Sequence, residues 1–504
     1  MTWRDAHDVL ASRNLVRQAP GARPDAATPV TGIAYDSRRA CPGEIFVALK
    51  GQHADGTAFA VSAVERGVVG VVSEDASPPG FATPWISVES ARLALAFLSA
   101  AFYGNPSTRL RVVGITGTNG KTTTAHLVAS ILEAATIRCG EIGTVAYRIG
   151  DVVRDATKTT PEAPELQSML RAMVDAGCGA CAMEVSSHAL ALRRVDGTTF
   201  AAGVFTNLTR EHLDFHADMA DYFRAKRRLF ELLAPEASSV INIDDPRGPT
   251  LVDTVPHPLT YAINRAADVT PGPLSFSFDG LKLDVRTPRG VVHVASPLVG
   301  RPNVYNILAA VSTGVALNLT LSTIEKGIAA LSGVPGRFQI VSRPGDEVTV
   351  IVDYAHTDDA LRNLIETARP LTQGRLVTVF GCGGDRDRTK RPLMGAIASR
   401  LSDVVLITSD NPRSEDPQRI IEDIQRGLVP ETRRPPGAPG ILAIPDRGEA
   451  IRKAIDLARP GDLVLIAGKG HEKYQVIGDR AFPFDDVAVA REALDHRRGS
   501  RSAG

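Results

Sequence analysis

The sequence predicts an α/β fold of three domains, and three observations support this expectation. The chain of 504 residues is longer than a single hydrophobic core normally supports. Apolar strand-like runs alternate with helical patterns along most of its length, as in largely parallel sheets. The turn-rich stretch "YGNPSTRL" (103–110) interrupts this alternation, and a new series of strands begins near residue 337. We therefore expect domains over residues 1–107, 108–336 and 337–504.

The first domain is expected to be a mixed α/β domain. Its segment "VTGIAYDSRRACPGEIFVALKG" contains two β-like runs separated by a Pro-Gly turn. A helix-like stretch, "TAFAVSAVERG", and a further strand, "VVGVVS", follow it.

The second domain opens with a strand, "RVVGIT", that runs through a Gly-rich loop into a helix, "KTTTAHLVASILEAA". Alternation of strand and helix is expected to continue to about residue 330. This order predicts a doubly wound sheet of the kind found in P-loop ATPases.

The third domain contains four apolar strands that each run into a polar or Gly-rich loop, which predicts a Rossmann-like sheet. These strands are "VTVIVDYAH", "RLVTVFGCGGDRD", "DVVLITSDNPR" and "GDLVLIAGKGHE", with amphipathic helices such as "RGEAIRKAIDLA" (447–458) between them. Ligands of open α/β sheets bind outside the carboxyl ends of the strands. We therefore expect all four loops to face one crevice.

The composition excludes some classes of function. Lys plus Arg and Asp plus Glu both number 57, so the chain lacks the basic excess typical of a dedicated nucleic-acid binder. The sequence has no apolar run long enough to span a membrane and no apolar signal core at its start. Five cysteines are few for this length, so we expect a reduced, cytoplasmic protein.

The segment "GITGTNGKTT" (114–123) predicts a phosphate-binding loop. The usual P-loop pattern requires glycine where this chain has Ile115, but the shorter pattern from Gly117 to Thr122 keeps the necessary parts. Its glycines let backbone N–H groups approach phosphate, Lys121 reaches the terminal phosphates, and Thr122 can bind Mg²⁺. We predict that ATP or GTP binds this loop, which consists of Gly117, Thr118, Asn119, Gly120, Lys121, Thr122 and Thr123.

A series of further motifs resembles the Mur ligase family, the ATP-dependent amide ligases of peptidoglycan synthesis. After the nucleotide loop, these motifs are "AMEVSSHAL" (182–190), "FTNLTREHLDFH" (205–216), "GRPNVYNILAA" (300–310), "PGRF" (335–338), "DYAHTDDAL" (353–361), "GCGGDRDRTKRPLMG" (381–395), "DNPR" (410–413) and "GKGHE" (468–472). The resemblance covers essentially the whole chain. It is strongest to the ligase that adds the third residue of the stem peptide.

This resemblance implies an ATP- and Mg²⁺-dependent reaction. A diamino acid would be joined to the D-glutamate of UDP-MurNAc-L-Ala-D-Glu through an acyl phosphate, with release of ADP and phosphate. The catalytic residues it implies are Lys121, Glu184, His212, Lys226, Arg337, Asp353, His356 and Lys390. The implied metal ligands are Thr122, Glu184, His212 and a carbamate on Lys226, and the implied adenine-side residues are Asn303 and Asn306.

Lys226 illustrates how much this assignment depends on the resemblance. In "YFRAKRRLF" it is one of four cations on an amphipathic helix, and the pattern alone favours a solvated face. A carbamate would turn this cation into an anionic oxygen ligand.

The resemblance also places the UDP-sugar peptide between the first and second domains. The matching residues are Ser37, Gln52, His53, Ala54, Thr159, Thr160, Ser186 and Arg194. Relatives commonly carry asparagine and glutamine where this chain has Lys158 and Leu192. The fine contacts to the peptide are therefore expected to differ.

The corner "DNPR" (410–413) predicts which diamino acid is used. An arginine held on a rigid Asn-Pro turn can bind a carboxylate through two parallel hydrogen bonds. L-lysine has no distal carboxylate, whereas meso-diaminopimelate has one, and the family's "DNPR" corner goes with meso-diaminopimelate. The predicted diaminopimelate-binding residues are Arg386, Asp410, Asn411, Pro412, Arg413, Gly468 and Glu472, with Asp410, Asn411 and Glu472 accepting from the ammonium.

Two alternatives remain at this point. One is a related enzyme, either a folylpolyglutamate synthetase or a Mur ligase of another step, although "YDSRR" and "GQHADG" in the first domain favour a UDP-sugar substrate. The other is a nucleotide-switch or motor ATPase, which would not require the polar strand ends of the third domain. We expect small-molecule substrates, no nucleic acid and a monomer.

Overall fold

The computed structural model describes residues 1–18, 27–51, 55–428 and 440–502. Its first part contains a five-stranded sheet in the order β1-β5-β4-β3-β2, parallel except for β1. The elements are α1 (Trp3–Ser12), β1 (Val16–Gln18), β2 (Gly32–Ala34), β3 (Glu44–Val47), α2 (Ala60–Glu65), β4 (Gly70–Ser73), β5 (Trp85–Val88) and α3 (Ala91–Phe102). Both β-like runs, the helix and the strand predicted here are confirmed.

The second part is built on an eight-stranded sheet in the order β13-β12-β11-β6-β10-β7-β8-β9. Its first six strands are parallel, and β8 and β9 are antiparallel to their neighbours. The elements are β6 (Arg111–Thr116), α4 (Lys121–Ala134), β7 (Cys139–Ile142), β8 (Ala146–Ile149), β9 (Val152–Asp155), α5 (Ala163–Asp175), β10 (Ala180–Glu184), α6 (Ser187–Ala191), β11 (Ala202–Phe205), α7 (Met219–Glu231), β12 (Ser238–Asn242), α8 (Pro249–Val252) and β13 (Pro258–Tyr261).

A small antiparallel sheet interrupts the predicted alternation of strand and helix before residue 330. Its elements and the two following helices are β14 (Thr270–Pro271), β15 (Phe276–Ser277), β16 (Gly280–Thr287), β17 (Gly290–Ser296), α9 (Arg301–Ala316) and α10 (Leu321–Ala330). In β16 and β17, buried and exposed residues alternate, because one face packs on the core and the other meets solvent. This period of two distinguishes the hairpin from the fully buried parallel strands.

The third part contains a six-stranded sheet in the order β18-β19-β23-β20-β21-β22, parallel except for β18. The four strands predicted from the sequence are β19, β20, β21 and β23, and they are neighbours. The elements are β18 (Gln339–Ile340), β19 (Thr349–Asp353), α11 (Asp358–Ala368), β20 (Leu376–Phe380), α12 (Lys390–Leu401), β21 (Val404–Ile407), α13 (Pro417–Gln425), β22 (Gly440–Ala443), α14 (Arg447–Leu457), β23 (Leu463–Ala467), β24 (Tyr474–Ile477), β25 (Arg480–Pro483) and α15 (Asp486–Ser502).

Three central sheets thus confirm the predicted three-domain α/β class, while the limits at residues 107 and 336 stay predictions. Each sheet has its own buried apolar cluster. No helix of the described residues has the length and apolar character needed to cross a membrane.

Strand register places the functional loops together. Ile115 of β6 pairs with Glu184 of β10, and Thr116 pairs with Phe205 of β11. In the third part, Asp353 of β19 pairs with Ala467 of β23. The loops that follow these strands therefore leave each sheet side by side at its carboxyl edge.

Candidate active site

The predicted phosphate loop lies between β6 and α4. Gly117 and Gly120 have φ of 149° and 86°, values that favour glycine. A Cβ on Gly117 would collide with the Thr206 hydroxyl, which donates to the Asn119 carbonyl at 2.7 Å. The glycines thus allow a close approach between the loop and β11, and α4 begins at Lys121 with its N–H groups directed toward the loop.

Two lysines donate to the carbonyl of Gly117. Lys121 Nζ lies 3.0 Å from this oxygen and 2.8 Å from the Thr118 carbonyl, while Lys226 Nζ lies 2.7 Å from Gly117 O. Lys226 is 1% exposed and its amine lies over the Tyr222 ring. Burial, followed by the nearby Lys121 cation, holds the pKa of Lys226 well below its ordinary value. The solvated face that the helical pattern favours for Lys226 is therefore wrong.

The predicted metal ligands Thr122, Glu184 and His212 line one cavity, of about 740 Å³, together with the phosphate loop. Glu184 ends β10, and its carboxylate accepts from the N–H and hydroxyl of Thr144 at 2.7 and 3.1 Å. Burial lowers the pKa of His212 to about 3, so the imidazole is neutral. Lys226 does not line this cavity, because its amine lies behind the Gly117 carbonyl.

These donors fit Mg²⁺. The described residues contain no compact group of three or more His, Cys, Asp or Glu side chains arranged to hold a metal. Mg²⁺ does not require such a group, because it is usually held by one or two carboxylates, water and substrate phosphates. Thr122 and Glu184 supply hard oxygen donors beside the loop that would hold those phosphates.

The C-terminal sheet contributes residues to the same cavity. Arg337 Nη2 donates to Thr122 Oγ1 at 2.9 Å, and its guanidinium lies over the Tyr354 ring. Asp353 ends β19, where its two carboxylate oxygens accept from Phe338 N–H and the N–H of residue 355. Arg337 therefore connects the two sheets, and Asp353 fixes the turn that carries it.

Glu211 is a functional candidate that the sequence interpretation missed. Its Oε1 lies 2.9 Å from His356 Nε2, which brings His356 to the central part of the chain. Burial alone would raise the pKa of Glu211, but the hydrogen bond with His356 and the nearby Lys121 cation hold this pKa well below its usual range. The sequence signal for a functional role of Glu211 was its position next to His212.

The predicted adenine-side residues lie in α9 and line the nucleotide cavity, with Asn306 directly beside Gly120 of the phosphate loop. Asn306 Nδ2 donates to Asn303 Oδ1 at 2.9 Å, and Asn303 Nδ2 donates to the Val299 carbonyl at 2.8 Å. The two amides thus fix each other's orientation.

Three of the predicted muropeptide residues form a connected group beside Glu184. Thr160 Oγ1 donates to the Glu184 carbonyl at 2.8 Å and accepts from Ser186 N–H at 3.1 Å. Arg194 donates to the Thr160 carbonyl at 3.0 Å and pairs with Glu162 at 2.8 Å. Thr159 lines the nucleotide cavity and also a second cavity beside it.

Among the remaining muropeptide predictions, Ser37 lies within the described residues and is not brought to these cavities. Ser37 is buried in a short 3₁₀ helix of the first part and lines neither cavity. Gln52, His53 and Ala54 lie outside the described residues. Lys158 occupies the rim of the second cavity, 3.7 Å from Glu162. Leu192 is the C-cap of α6.

The second cavity, of about 870 Å³, is lined by Asp410 and Arg413, the two ends of the corner formed by residues 410–413. Arg413 has φ of 51°, and its N–H donates to the Val476 carbonyl at 3.1 Å. Its Nη1 donates to the Gly384 carbonyl at 2.8 Å, and it forms no ion pair within the described parts of the chain. The predicted residues that line this cavity are Arg386, Lys390, Asp410, Arg413, Gly468 and Glu472.

Asn411 and Pro412 do not line this cavity. The Asn411 oxygen accepts from Lys469 Nζ at 3.0 Å and from Val476 N–H at 2.9 Å. The prediction that Asn411 accepts from the substrate's ammonium is therefore corrected: both of its lone pairs are used, and it positions its neighbours.

The two cavities meet at one point. Both are lined by Thr144, Thr159, Glu211, His212, Tyr354 and His356. A phosphate held by the loop and an amine held by the corner would therefore approach the same region.

Comparison with known proteins identifies the family. Family models described as "Mur ligase family, catalytic domain", "Mur ligase middle domain" and "Mur ligase, glutamate ligase domain" match residues 29–103, 115–314 and 336–470. The chain belongs to the Mur ligase family. The switch or motor ATPase alternative is thereby excluded as the family of this chain.

Curated Mur ligases match over nearly full length. The chain is 50% identical over 490 residues to a UDP-N-acetylmuramoyl-L-alanyl-D-glutamate–2,6-diaminopimelate ligase of Solibacter usitatus, covering 97% of each chain. It is 48% identical to the protein of the same name from Geobacter metallireducens, covering 94% of this chain and 96% of the relative.

Solved structures agree with this assignment. A structure of a ligase of that name has 32% identity and a TM-score of 0.68, with 99% of both chains covered. A MurF ligase of Thermotoga maritima in complex with ADP, at 18% identity and a TM-score of 0.63, shares the fold.

Proposed function

We propose that this Mur ligase joins meso-2,6-diaminopimelate to the D-glutamate of UDP-MurNAc-L-Ala-D-Glu, with conversion of ATP to ADP and phosphate. The observation that carries the proposal is Arg413, which faces the second cavity without a carboxylate partner among the described residues. Asp410 and Glu472 line the same cavity and can accept from an ammonium. This pairing fits an amino-acid centre with one carboxylate and one ammonium. The high identity to ligases of that name supports the same substrate.

The reaction requires activation of a carboxylate that is otherwise unreactive toward amines. An oxygen of the D-glutamate side chain attacks the γ-phosphorus of ATP, and ADP leaves. The amine nitrogen of diaminopimelate then attacks the acyl carbon, loses a proton, and phosphate leaves from the tetrahedral intermediate. Both steps depend on in-line positioning and on neutralising the phosphoryl charge.

The chain's own residues supply these functions. Lys121 and the N-terminal N–H groups of α4 would hold the β- and γ-phosphates, and Arg337 would add positive charge from the C-terminal sheet. His356 and Lys390 face the junction and the second cavity respectively. Asn303 and Asn306 would contact the adenine side, and Thr159, Thr160, Ser186 and Arg194 the muropeptide. Ser37, Gln52, His53 and Ala54 remain proposed contacts to the UDP portion.

We propose Thr122, Glu184 and His212 as the residues that hold Mg²⁺. When bound, the ion would neutralise charge on the phosphates and the carboxylate. The neutral imidazole of His212 is suited to a metal ligand, and a lysine whose pKa is depressed by burial has the free amine that reacts with CO₂. A carbamate on Lys226 is therefore part of the proposal.

One chain contains both cavities, so catalysis requires no second copy, and we propose a monomer that acts in the cytoplasm. The test of the function is a phosphate-release assay with UDP-MurNAc-L-Ala-D-Glu, ATP and one of three amines: meso-diaminopimelate, L-lysine or L-ornithine. We expect release only when nucleotide, muropeptide and amine are all present, and fastest with meso-diaminopimelate. ATP hydrolysis at the same rate with and without muropeptide and amine would contradict the proposal.

A further inference from the structure

The loop that follows β23 directs a lysine inward beneath the amine cavity. Lys469 is fully buried, which is rare for lysine unless its charge is paired. Gly468 and Gly470 flank it with φ of 120° and 54°. A Cβ on Gly468 would lie 2.6 Å from Asp410 Oδ2, so glycine is required for the loop to pass beneath this carboxylate. The two glycines thus allow the turn that buries the lysine.

Lys469 connects three residues of the cavity wall. Its Nζ donates to Asn411 Oδ1 at 3.0 Å and to Glu472 Oε2 at 3.0 Å. Asn411 Nδ2 donates to the same Glu472 oxygen at 2.9 Å. Lys469 does not line the cavity, so it acts on the substrate only through these neighbours.

The ammonium also neutralises charge in the wall. Lys469 Nζ lies 4.0 Å from Asp410 Oδ1, so the same cation is near two of the carboxylates that line the cavity, Asp410 and Glu472. Asp410, Glu472 and Lys469 together carry one net negative charge, which matches a single substrate ammonium. Arg413 carries one positive charge, which matches a single carboxylate. Without Lys469, Asp410 and Glu472 would together present two negative charges to the single ammonium of an amino-acid centre.

We propose that Lys469 is a positioning residue that sets the charge of the amine site and thereby favours diaminopimelate over diamino acids whose distal end is an ammonium alone. The inference rests on the proposed function. Removing Lys469 leaves an excess negative charge that suits the distal ammonium of L-lysine better than the zwitterionic end of diaminopimelate. It also releases Glu472 and Asn411 from their fixed orientation.

The test is the steady-state kinetics of K469M with meso-diaminopimelate and with L-lysine, at saturating ATP and muropeptide. Loss of a hydrogen-bonded charge predicts a rise in KM for meso-diaminopimelate of about 10- to 100-fold, with kcat changed by less than about 3-fold. The ratio of kcat/KM for meso-diaminopimelate to that for L-lysine is expected to fall by about 10-fold. K469R, which keeps the cation, should retain most of the wild-type ratio.

Lys453, an exposed lysine of α14, provides the matched control, and K453M should behave as wild type. If K469M does not fold, the same kinetic constants are measured for K469Q, which keeps a donor for Asn411 and removes the charge. An equal fall in kcat/KM for both amines would overturn the inference. An unchanged KM for meso-diaminopimelate with an unchanged ratio of kcat/KM values would also overturn it. Failure of the proposed function is a separate result, since the unmodified enzyme would then release no muropeptide-dependent phosphate with any amine.

Discussion

Lys121 and Lys226 donate to the same backbone oxygen, that of Gly117, at 3.0 and 2.7 Å. Two ammonium groups this close repel each other, and the burial of Lys226 adds the cost of removing a charge from water. Both effects favour the neutral amine of Lys226. Because a neutral amine reacts with CO₂ and an ammonium does not, this contact is the physical basis for the proposed carbamate.

Lys226→Ala tests the carbamate. We expect ligase activity to fall by at least about 100-fold, because the carbamate proposed beside the phosphate loop is lost. Short carboxylates such as acetate or propionate should restore part of that activity by supplying the missing oxygen ligand. Arg227→Ala is the matched control on the exposed side of α7, and its activity should change little. Full activity of Lys226→Ala without any added carboxylate would exclude the carbamate.

Arg413→Lys and Arg413→Ala test the carboxylate contact. Because a bidentate, charge-assisted pair is lost, the KM for meso-diaminopimelate is expected to rise by about 30- to 200-fold. The affinity for ATP should stay within about 2-fold, since Arg413 does not line the nucleotide cavity. Equilibrium binding of a fluorescent ATP analogue measures the affinity for ATP. A matching loss of nucleotide affinity would mean that the variant disturbs the whole C-terminal sheet.

Gly117→Ala tests the close approach between the phosphate loop and β11. The added Cβ would collide with the Thr206 hydroxyl, so we expect ATP affinity to fall by at least about 10-fold. Gly177→Ala is the control, because Gly177 also has a positive φ, of 77°, but faces open space. That variant should lose about 1 kcal/mol of stability and bind ATP normally. Equal ATP affinities in the two variants would contradict the predicted effect of the collision on ATP binding.

Arg447 and Asp486 form a fully buried ion pair that ties α15 to the ends of β21 and β23. Arg447 Nη2 donates to Asp486 Oδ2 at 2.7 Å and to the Ala467 carbonyl at 3.0 Å. Arg447→Met should lower the free energy of unfolding by about 3–5 kcal/mol, because it leaves a buried carboxylate unpaired. Urea denaturation measures this, and the double variant with Asp486→Leu should recover part of the loss. A loss below about 1 kcal/mol would contradict the burial of this pair.

His188 predicts a pH dependence of stability. Burial lowers its pKa to about 4, below the value near 6.5 expected in the unfolded chain. Between these values the unfolded state binds more protons, so the free energy of unfolding falls as pH falls from about 6.5 to about 4. Urea midpoints at several pH values should decline less steeply for His188→Gln.

His293 gives a control of opposite sign. The exposed imidazole of His293 pairs with Asp284, which raises the pKa of His293. The stabilisation from this pair is therefore present at low pH and is lost as pH rises. His293→Gln should therefore make the acid decline slightly steeper. A His188→Gln variant with an unchanged pH slope would contradict the burial of His188.

Much of the fold could be predicted from the sequence because its signals are local. Four apolar strands ending in polar loops identified β19, β20, β21 and β23, and a Gly-rich loop between strand and helix identified the nucleotide site. Lys226 was harder to interpret, although Tyr222, Lys226 and Leu229 are spaced as one buried helical stripe. A lysine within such a stripe is a usable signal of burial.

Other features depend on contacts between distant segments and could not be predicted. Glu211 gains its role by meeting His356, 145 residues further along the chain. Asn411 was expected to accept from the substrate, but Lys469 takes its oxygen because two glycines turn the loop inward. Gln52, His53 and Ala54 lie outside the described residues, so their roles stay predictions.

We propose that the corner around Arg413 selects a diamino acid with a distal carboxylate. The most direct test compares kcat/KM for meso-diaminopimelate and L-lysine in muropeptide-dependent phosphate release, for the unmodified enzyme and Arg413→Ala. We predict a preference for meso-diaminopimelate of at least about 100-fold in the unmodified enzyme, and its loss in Arg413→Ala. Equal use of both amines by the unmodified enzyme would contradict selection by Arg413.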